Sequence, residues 1–204
     1  MALLLLSLLC LSTALATSPS PSPAPSTPTQ TDPSSDFIRT SCAATLYPSL
    51  CFKSLSPYSD AIQQNPTRLT IVAVSLALSR ARSLSAHLGS PSLPFDPSSA
   101  SALRDCCSVV SDAVDQLRKS ESELRKVGSE TKREEDDVAW EISNVKTWMS
   151  AALTNEDTCV DGFAAAPEGE VKKDVTVRAV KVKKVTSVAL SLVNSLADKI
   201  VRGH

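Results

Sequence analysis

Cys42, Cys51, Cys106, Cys107 and Cys159 are the side chains of this sequence with the most specific chemistry. Five thiols in an oxidising compartment make two disulfides with one spare thiol, or an intermolecular bond. Cys42 and Cys51 stand nine positions apart with Pro48 between them. Proline breaks a continuous helix outside its first turn. The simplest geometry is therefore two short helices folded into a hairpin and stapled by Cys42–Cys51. Closing so small a loop gains about 2–3 kcal/mol in the chain-entropy view. If the second bond is intramolecular, Cys106 or Cys107 must reach Cys159, and spacing alone does not choose. A link of about 50 residues is worth roughly 4 kcal/mol. The thiol left over behaves as a small buried hydrophobe.

Catalytic and cofactor chemistry finds no support. The only histidines are His87 and His204, and no His-Glu-x-x-His, Gly-rich phosphate loop or Gly-x-Ser-x-Gly occurs. His87 falls near a helix end, where a cation complements the helix dipole. Adjacent Cys106 and Cys107 lack the spacing for tetrahedral zinc and have no ligand-rich neighbourhood. No metal, cofactor or catalytic residue is expected. The acidic run Glu134–Asp137 reads as a solvated helix start. Lys172, Lys173, Arg178, Lys181, Lys183 and Lys184 form a basic patch. In an extracellular setting it could touch an acidic polysaccharide such as pectin, although a solvated face accounts for it too. The net charge of −1 gives no global attraction to nucleic acid or anionic membrane.

The compartment is legible at the N-terminus. Leu3–Leu15 is apolar, and Ala14-Leu15-Ala16 has the small-x-small pattern of a signal-peptidase site. Residues 1–16 are thus expected to be a signal peptide, carrying Cys10 away. The run is too short to span a bilayer, and no later segment is expected to do so. Residues 17–35 form a Ser/Pro/Thr tract with Pro19, Pro21, Pro23, Pro25, Pro28 and Pro33. Such a segment favours extended polyproline II and builds no core, so it reads as a linker or stalk.

The remaining chain, 36–204, must supply the elements that hold the cysteines. Only five glycines and 4% aromatics, against abundant Ala, Leu and Val, favour helices. A hairpin is expected over 36–60, then four helices over 65–201. The first, from Pro66 to Leu88, has Asn65 as cap and Gly89 as stop. In the second, Pro97 to Val127, Leu103, Cys107, Val110, Val114, Leu117 and Leu124 make a seam bordered by Cys106. The third, from Thr131 to about Asn155, buries Val138, Ile142, Val145, Met149 and Ala152, with Trp140 and Trp148 on a second face. The fourth, Val171 to Val201, has a first half whose alternating valines would also suit a strand, but it has no sheet to join. Four amphipathic helices with short loops predict an up-and-down bundle with the hairpin at one end.

Four ordered blocks, CAATLYPSLC, ALRDCCSVVSDAVDQL, TWMSAALTNEDTCVDGF and VTSVALSLVNSLA, resemble the plant invertase and pectin methylesterase inhibitor family over about Asp36–Val201. The last two look like its pectin methylesterase inhibitor branch. The resemblance implies an all-α four-helix bundle with an N-terminal helical hairpin and two disulfides. The family's third cysteine follows a Leu-x-Asp element, here Leu103-Arg104-Asp105, which implies Cys106–Cys159 and leaves Cys107 free. A chain ending at His204 is not expected to be the pro-region of a longer esterase.

By the same resemblance, the expected activity is inhibition of plant pectin methylesterase in the apoplast, by covering its active-site cleft one-to-one. Matching contact positions are Asp112 and Asp115 on the second helix, and Thr158 and Asp161 beside Cys159. Ser108 stands where members often carry an acidic residue. Such esterases resemble enzymes working with paired aspartates, so like-charge repulsion across the interface implies tighter binding at acidic pH. The alternatives are an acid invertase inhibitor and a wall-attached interaction module that inhibits nothing.

Overall fold

The computed structural model describes residues 32–91, 93–94, 96–129 and 135–202. The expected signal peptide, residues 17–31 of the Ser/Pro tract, the expected third-helix start at Thr131, Glu134 and His204 lie outside the described residues.

Caps and prolines set the helix starts. Asp32 accepts hydrogen bonds from the N–H groups of Ser34 and Ser35, and Pro33 fills the first turn, so α1 runs Pro33–Ala43. The helix thus begins inside the stretch 17–35 expected to be linker, because Asp32 and Pro33 together are a helix-start signal. Pro48 opens α2, Pro48–Leu55, and a 3₁₀ turn at Ser56–Tyr58 leads to the short α3, Ser59–Ile62. Gln63 and Gln64 then take left-handed backbone with φ of 50° and 57°. That conformation is costly for a residue with a Cβ. The Gln63 side chain accepts from Arg68, which ties the turn to the next helix.

Helix α4, Pro66–Leu88, starts where Asn65 Oδ1 accepts from the Arg68 N–H at 3.0 Å. Asp96 caps a 3₁₀ turn at Pro97–Ser99, and α5 follows as Ala100–Ser129. Helix α6 spans Glu135–Gly162 and α7 spans Glu170–Arg202. Among the described residues there is no strand. The valine-rich start of α7 is helical because Val171, Val175, Ala179 and Val182 are buried at helical spacing, while Val177 is exposed. Helix α6 continues a further two turns past Asn155. The Thr154 and Thr158 hydroxyls donate back to the Ser150 and Thr154 carbonyls, so these polar residues are satisfied within the helix. Cys159 and Phe163 carry its apolar face onward.

The four long helices form a ring of neighbours, α4–α5–α6–α7 and back to α4, with α1 and α2 against one end. The connections alternate direction. His87 at the end of α4 meets Asp174 near the start of α7, and Cys106 near the start of α5 meets Cys159 near the end of α6. This is an all-α, up-and-down four-helix bundle. Its centre holds Leu78, Val110, Leu117, Leu124, Ile142, Met149, Phe163 and Val193, each fully buried or nearly so. Each large apolar side chain removed from water contributes about 1.5–3 kcal/mol before conformational entropy is counted. Helix α4 is, contrary to expectation, long and apolar enough to cross a membrane by length and composition. In the bundle its apolar residues, among them Leu69, Ala73, Ala77, Leu84 and Leu88, pack into the core.

The most deeply buried ionisable group among the described residues lies inside that core. Glu156 of α6 is 1% exposed. Its Oε1 accepts from Thr186 Oγ1 of α7 at 2.8 Å, and its Oε2 has no partner. Burial pushes the carboxyl from 4.5 up to about 8; the Thr186 hydrogen bond and Lys183 oppose the rise, and Asp157 adds to it. The folded chain therefore holds this proton more tightly than the unfolded chain. The resulting stability is complete below about pH 4.5 and is lost as pH rises to about 8. Urea titrations should show stability declining over that window by at most about 1.4 kcal/mol per pH unit. Glu156→Gln should flatten the decline. An unchanged slope in the variant would show that the loss arises elsewhere.

Candidate functional site

The outer seam between α5 and α6 is built around a covalent bond. Cys106 and Cys159 are joined with Cα atoms 4.3 Å apart, both essentially buried. Cys42 and Cys51 close the hairpin, and Cys107 is a free, half-buried thiol. The helix chooses between the adjacent cysteines by angle. Consecutive residues are about 100° apart around the axis. Cys106 shares the inward face with Val110, Ala113, Leu117 and Leu124, whereas Cys107 sits at its margin beside half-buried Leu103. The seam read from the sequence holds at Val110, Val114, Leu117 and Leu124, whereas Leu103 and Cys107 are only half-buried at its margin. Burial pushes the Cys107 thiol upward, which keeps it protonated.

Farther along the seam, Asn155 Nδ2 of α6 donates to Gln116 Oε1 of α5 at 3.1 Å. This pair and the disulfide bracket the exposed Asp112 and Thr158. Asp112 is one turn before Gln116 and Thr158 is three residues after Asn155, so both border the same groove between helices. Asp115 also faces solvent, but Arg118 Nη1 donates to it at 2.6 Å in an exposed pair. Such pairs hold a side chain only weakly. Asp161 is exposed and lies toward α7. Its charge, with that of Asp157, reaches Lys183, whose pKa is raised first by the hydrogen bond to Asp157. The structure therefore brings Asp112 and Thr158 to one seam and sets Asp115 and Asp161 on its two flanks.

The basic patch is not one surface. Lys172 donates to the carbonyls of Ala164 and Ala166 and pairs with Glu168, so it braces the turn before α7. Lys183 pairs with Asp157 on the α6 side. Arg178 Nε donates to both oxygens of Asp174, at 2.8 and 3.0 Å. Asp174 also meets His87 Nε2 at 2.5 Å; burial works against its charge, but these partners hold the carboxyl below its usual range. His87 is thus a link between α4 and α7. Lys173 and Lys181 remain exposed, and Lys184 lies 5.5 Å from the centre of the Tyr47 ring. Sequence reasoning missed Gln116, Asn155 and Glu156, because polar residues at helical spacing look alike whether they face water or a neighbouring helix.

A family model described as plant invertase/pectin methylesterase inhibitor matches residues 36–192. The chain belongs to that family. Pectinesterase inhibitor 9 of Arabidopsis thaliana is 42% identical over 171 residues, covering 81% of this chain and 83% of that protein. A 21 kDa protein of Daucus carota is 37% identical over 82% of this chain and 86% of its own length. A crystal structure of a mutant pectin methylesterase inhibitor from Arabidopsis has the same fold, with a TM-score of 0.60 at 24% identity, over 77% of this chain and 95% of that one. The family consists of non-catalytic inhibitors associated with the extracellular space and cell wall, and this member is not an enzyme.

The bracketed seam predicts unequal roles for neighbouring cysteines. Replacing Cys106 and Cys159 together by serine should cost about 2–4 kcal/mol of stability. Cys107→Ser should cost about 1 kcal/mol or less, as a half-buried thiol yields its place to a hydroxyl. Urea denaturation without reductant checks both. Equal losses would mean that Cys107 carries structural weight that its position does not indicate.

Proposed function

We propose that the protein is a secreted inhibitor of plant pectin methylesterase, acting in the cell wall by covering the enzyme's active-site cleft in a one-to-one complex. The observation that carries this reading is the match to a pectinesterase inhibitor at 42% identity over most of both chains. Asp112 and Thr158 would enter the cleft from the α5–α6 seam, with Asp115 and Asp161 contacting its walls. The Cys106–Cys159 bond supports this choice, since it fixes the two helices in register where both pairs of residues lie. The N-terminal segment 1–16 would direct secretion, and 17–31 would act as a tether.

The family description also includes invertase inhibitors, which makes acid invertase the rival target. Adding the purified protein to a plant pectin methylesterase and to an acid invertase, side by side, separates the two. Stoichiometric loss of esterase activity alone is the expected result; loss of invertase activity alone, or of neither, would overturn it.

Three further outcomes test the reading. Asp112→Ala or Thr158→Ala should weaken esterase binding about tenfold or more, on the scale of a buried interface contact. Charge reversal at Lys181 should matter less, and the opposite order would place the interface elsewhere. If carboxylates on both partners crowd together, binding should tighten as pH falls from neutral to mildly acidic. Affinity that is flat or rises with pH would remove that electrostatic account. Reducing the disulfides should weaken inhibition before helicity is lost, as parallel inhibition and circular dichroism measurements would show.

A further inference from the structure

The seam opposite the proposed esterase face carries a groove lined by cations. In the ring of four helices, the α4–α7 junction lies across the bundle from the α5–α6 junction. There the N-terminal hairpin closes a groove of about 450 Å³. That volume is within the range of small-ligand sites. Four cations line it: Arg80 from α4, and Arg178, Lys181 and Lys184 from α7. No acidic residue lines it. Its floor is apolar, with buried Leu84 and Val182 and half-buried Val185.

These cations are not a diffuse solvated face. Arg178 and Lys181 are one turn apart on α7, and Lys184 follows after another, each step about 4.5 Å along the axis. This spacing is on the scale of one sugar ring. Arg178 engages Asp174 through Nε, which leaves its two terminal nitrogens for a second carboxylate. Lys184 is steadied over the Tyr47 ring. Arg80 reaches in from the neighbouring helix. An extended polyanion with one carboxylate per ring and apolar ring faces matches both the row of cations and the floor. A single-stranded nucleic acid would ask for aromatic stacking surfaces, and no aromatic side chain lines the groove.

We propose that the groove between α2, α4 and α7 binds unesterified polyuronate through Arg80, Arg178, Lys181 and Lys184. The choice of a uronate chain, rather than another carboxylate polymer, rests on the reading of the protein as a pectin methylesterase inhibitor. Removing methyl esters from such a chain exposes the carboxylates that the groove would hold. A molecule anchored through the α4–α7 side would keep its α5–α6 side available. The inhibitor would then gather on stretches already de-esterified, where its target has been working.

The test needs no esterase. Calorimetric titration of the full secreted chain with oligogalacturonate, its methyl-esterified counterpart and poly-L-glutamate should give binding by the first only, weakening as salt rises. The double substitution Arg80→Glu with Lys181→Glu should lower that affinity at least tenfold. Lys119→Glu, on exposed α5, should leave it unchanged, and circular dichroism should show the same helicity in all three proteins. Equal binding of the methyl-esterified chain, equal binding of poly-L-glutamate, or undiminished binding by the double variant would each overturn the proposal. Inhibition of pectin methylesterase, measured separately, should persist in the double variant. Failure of the wild-type chain to inhibit would remove the proposed function and leave the titration result standing.

Discussion

The bond between Cys106 and Cys159 fixes what the rest of the bundle can do. Burial of apolar rows that repeat every turn specifies the longitudinal offset of α5 on α6 less sharply than a covalent link does. Here that link holds the two Cα atoms 4.3 Å apart. Once the offset is set, Gln116 and Asn155 fall opposite each other, and Asp112 and Thr158 fall into the same groove. The hairpin bond Cys42–Cys51 has a more local role, holding α1 and α2 where they can cover the bundle's end.

Electrostatics divides the molecule into faces. Glu156 bonds to Thr186 inside the α6–α7 contact, and Asp157 reaches Lys183 at its rim. On the other side of α5, Glu121 accepts from Ser75 of α4 at 2.5 Å and from Arg125 at 2.8 Å. Burial opposes the Glu121 charge, but these donors outweigh it and hold the carboxyl below its usual range. Polar pairs thus join α6 to α7 and α4 to α5, while Glu156 Oε2 and Thr176 Oγ1 are among the buried atoms of the described residues that make no hydrogen bond. The surplus of positive charge is left at the α4–α7 groove, and the unpaired carboxylate of Asp112 at the α5–α6 seam.

Much of the scaffold was legible in the sequence. Asn65-Pro66 and Gly89 mark α4 to the residue, since a side-chain cap, a first-turn proline and a stop each act locally. The buried stripe Ile142, Val145, Met149 and Ala152 follows from period alone. Three features resisted. The start of α1 at Pro33 was masked by the proline-rich composition around it. The continuation of α6 to Gly162 was hidden because TNEDT is a poor helix former on propensity, whereas the buried Cys159, held in its disulfide, and Phe163 anchor it. Arg80 lies about a hundred residues from Lys181, so its share in one groove depends on the pairing of α4 with α7. The candidate contact positions came from family resemblance; their division between seam and flanks comes from packing.

The spare thiol has a consequence for how the molecule must be made. Cys107 is the immediate neighbour of the bonded Cys106, so an exchange that handed Cys159 to Cys107 would break and make equivalent bonds. The isomer would not be equivalent in shape. Turning α5 by the angle between consecutive residues, about 100°, would swing Asp112 out of the groove and bring Val110 and Leu117 toward water. Such exchange proceeds through a thiolate, and the partly buried Cys107 is held in its protonated form. Burial that raises the Cys107 pKa lowers its thiolate fraction, and so disfavours exchange toward a misrotated isomer of identical mass.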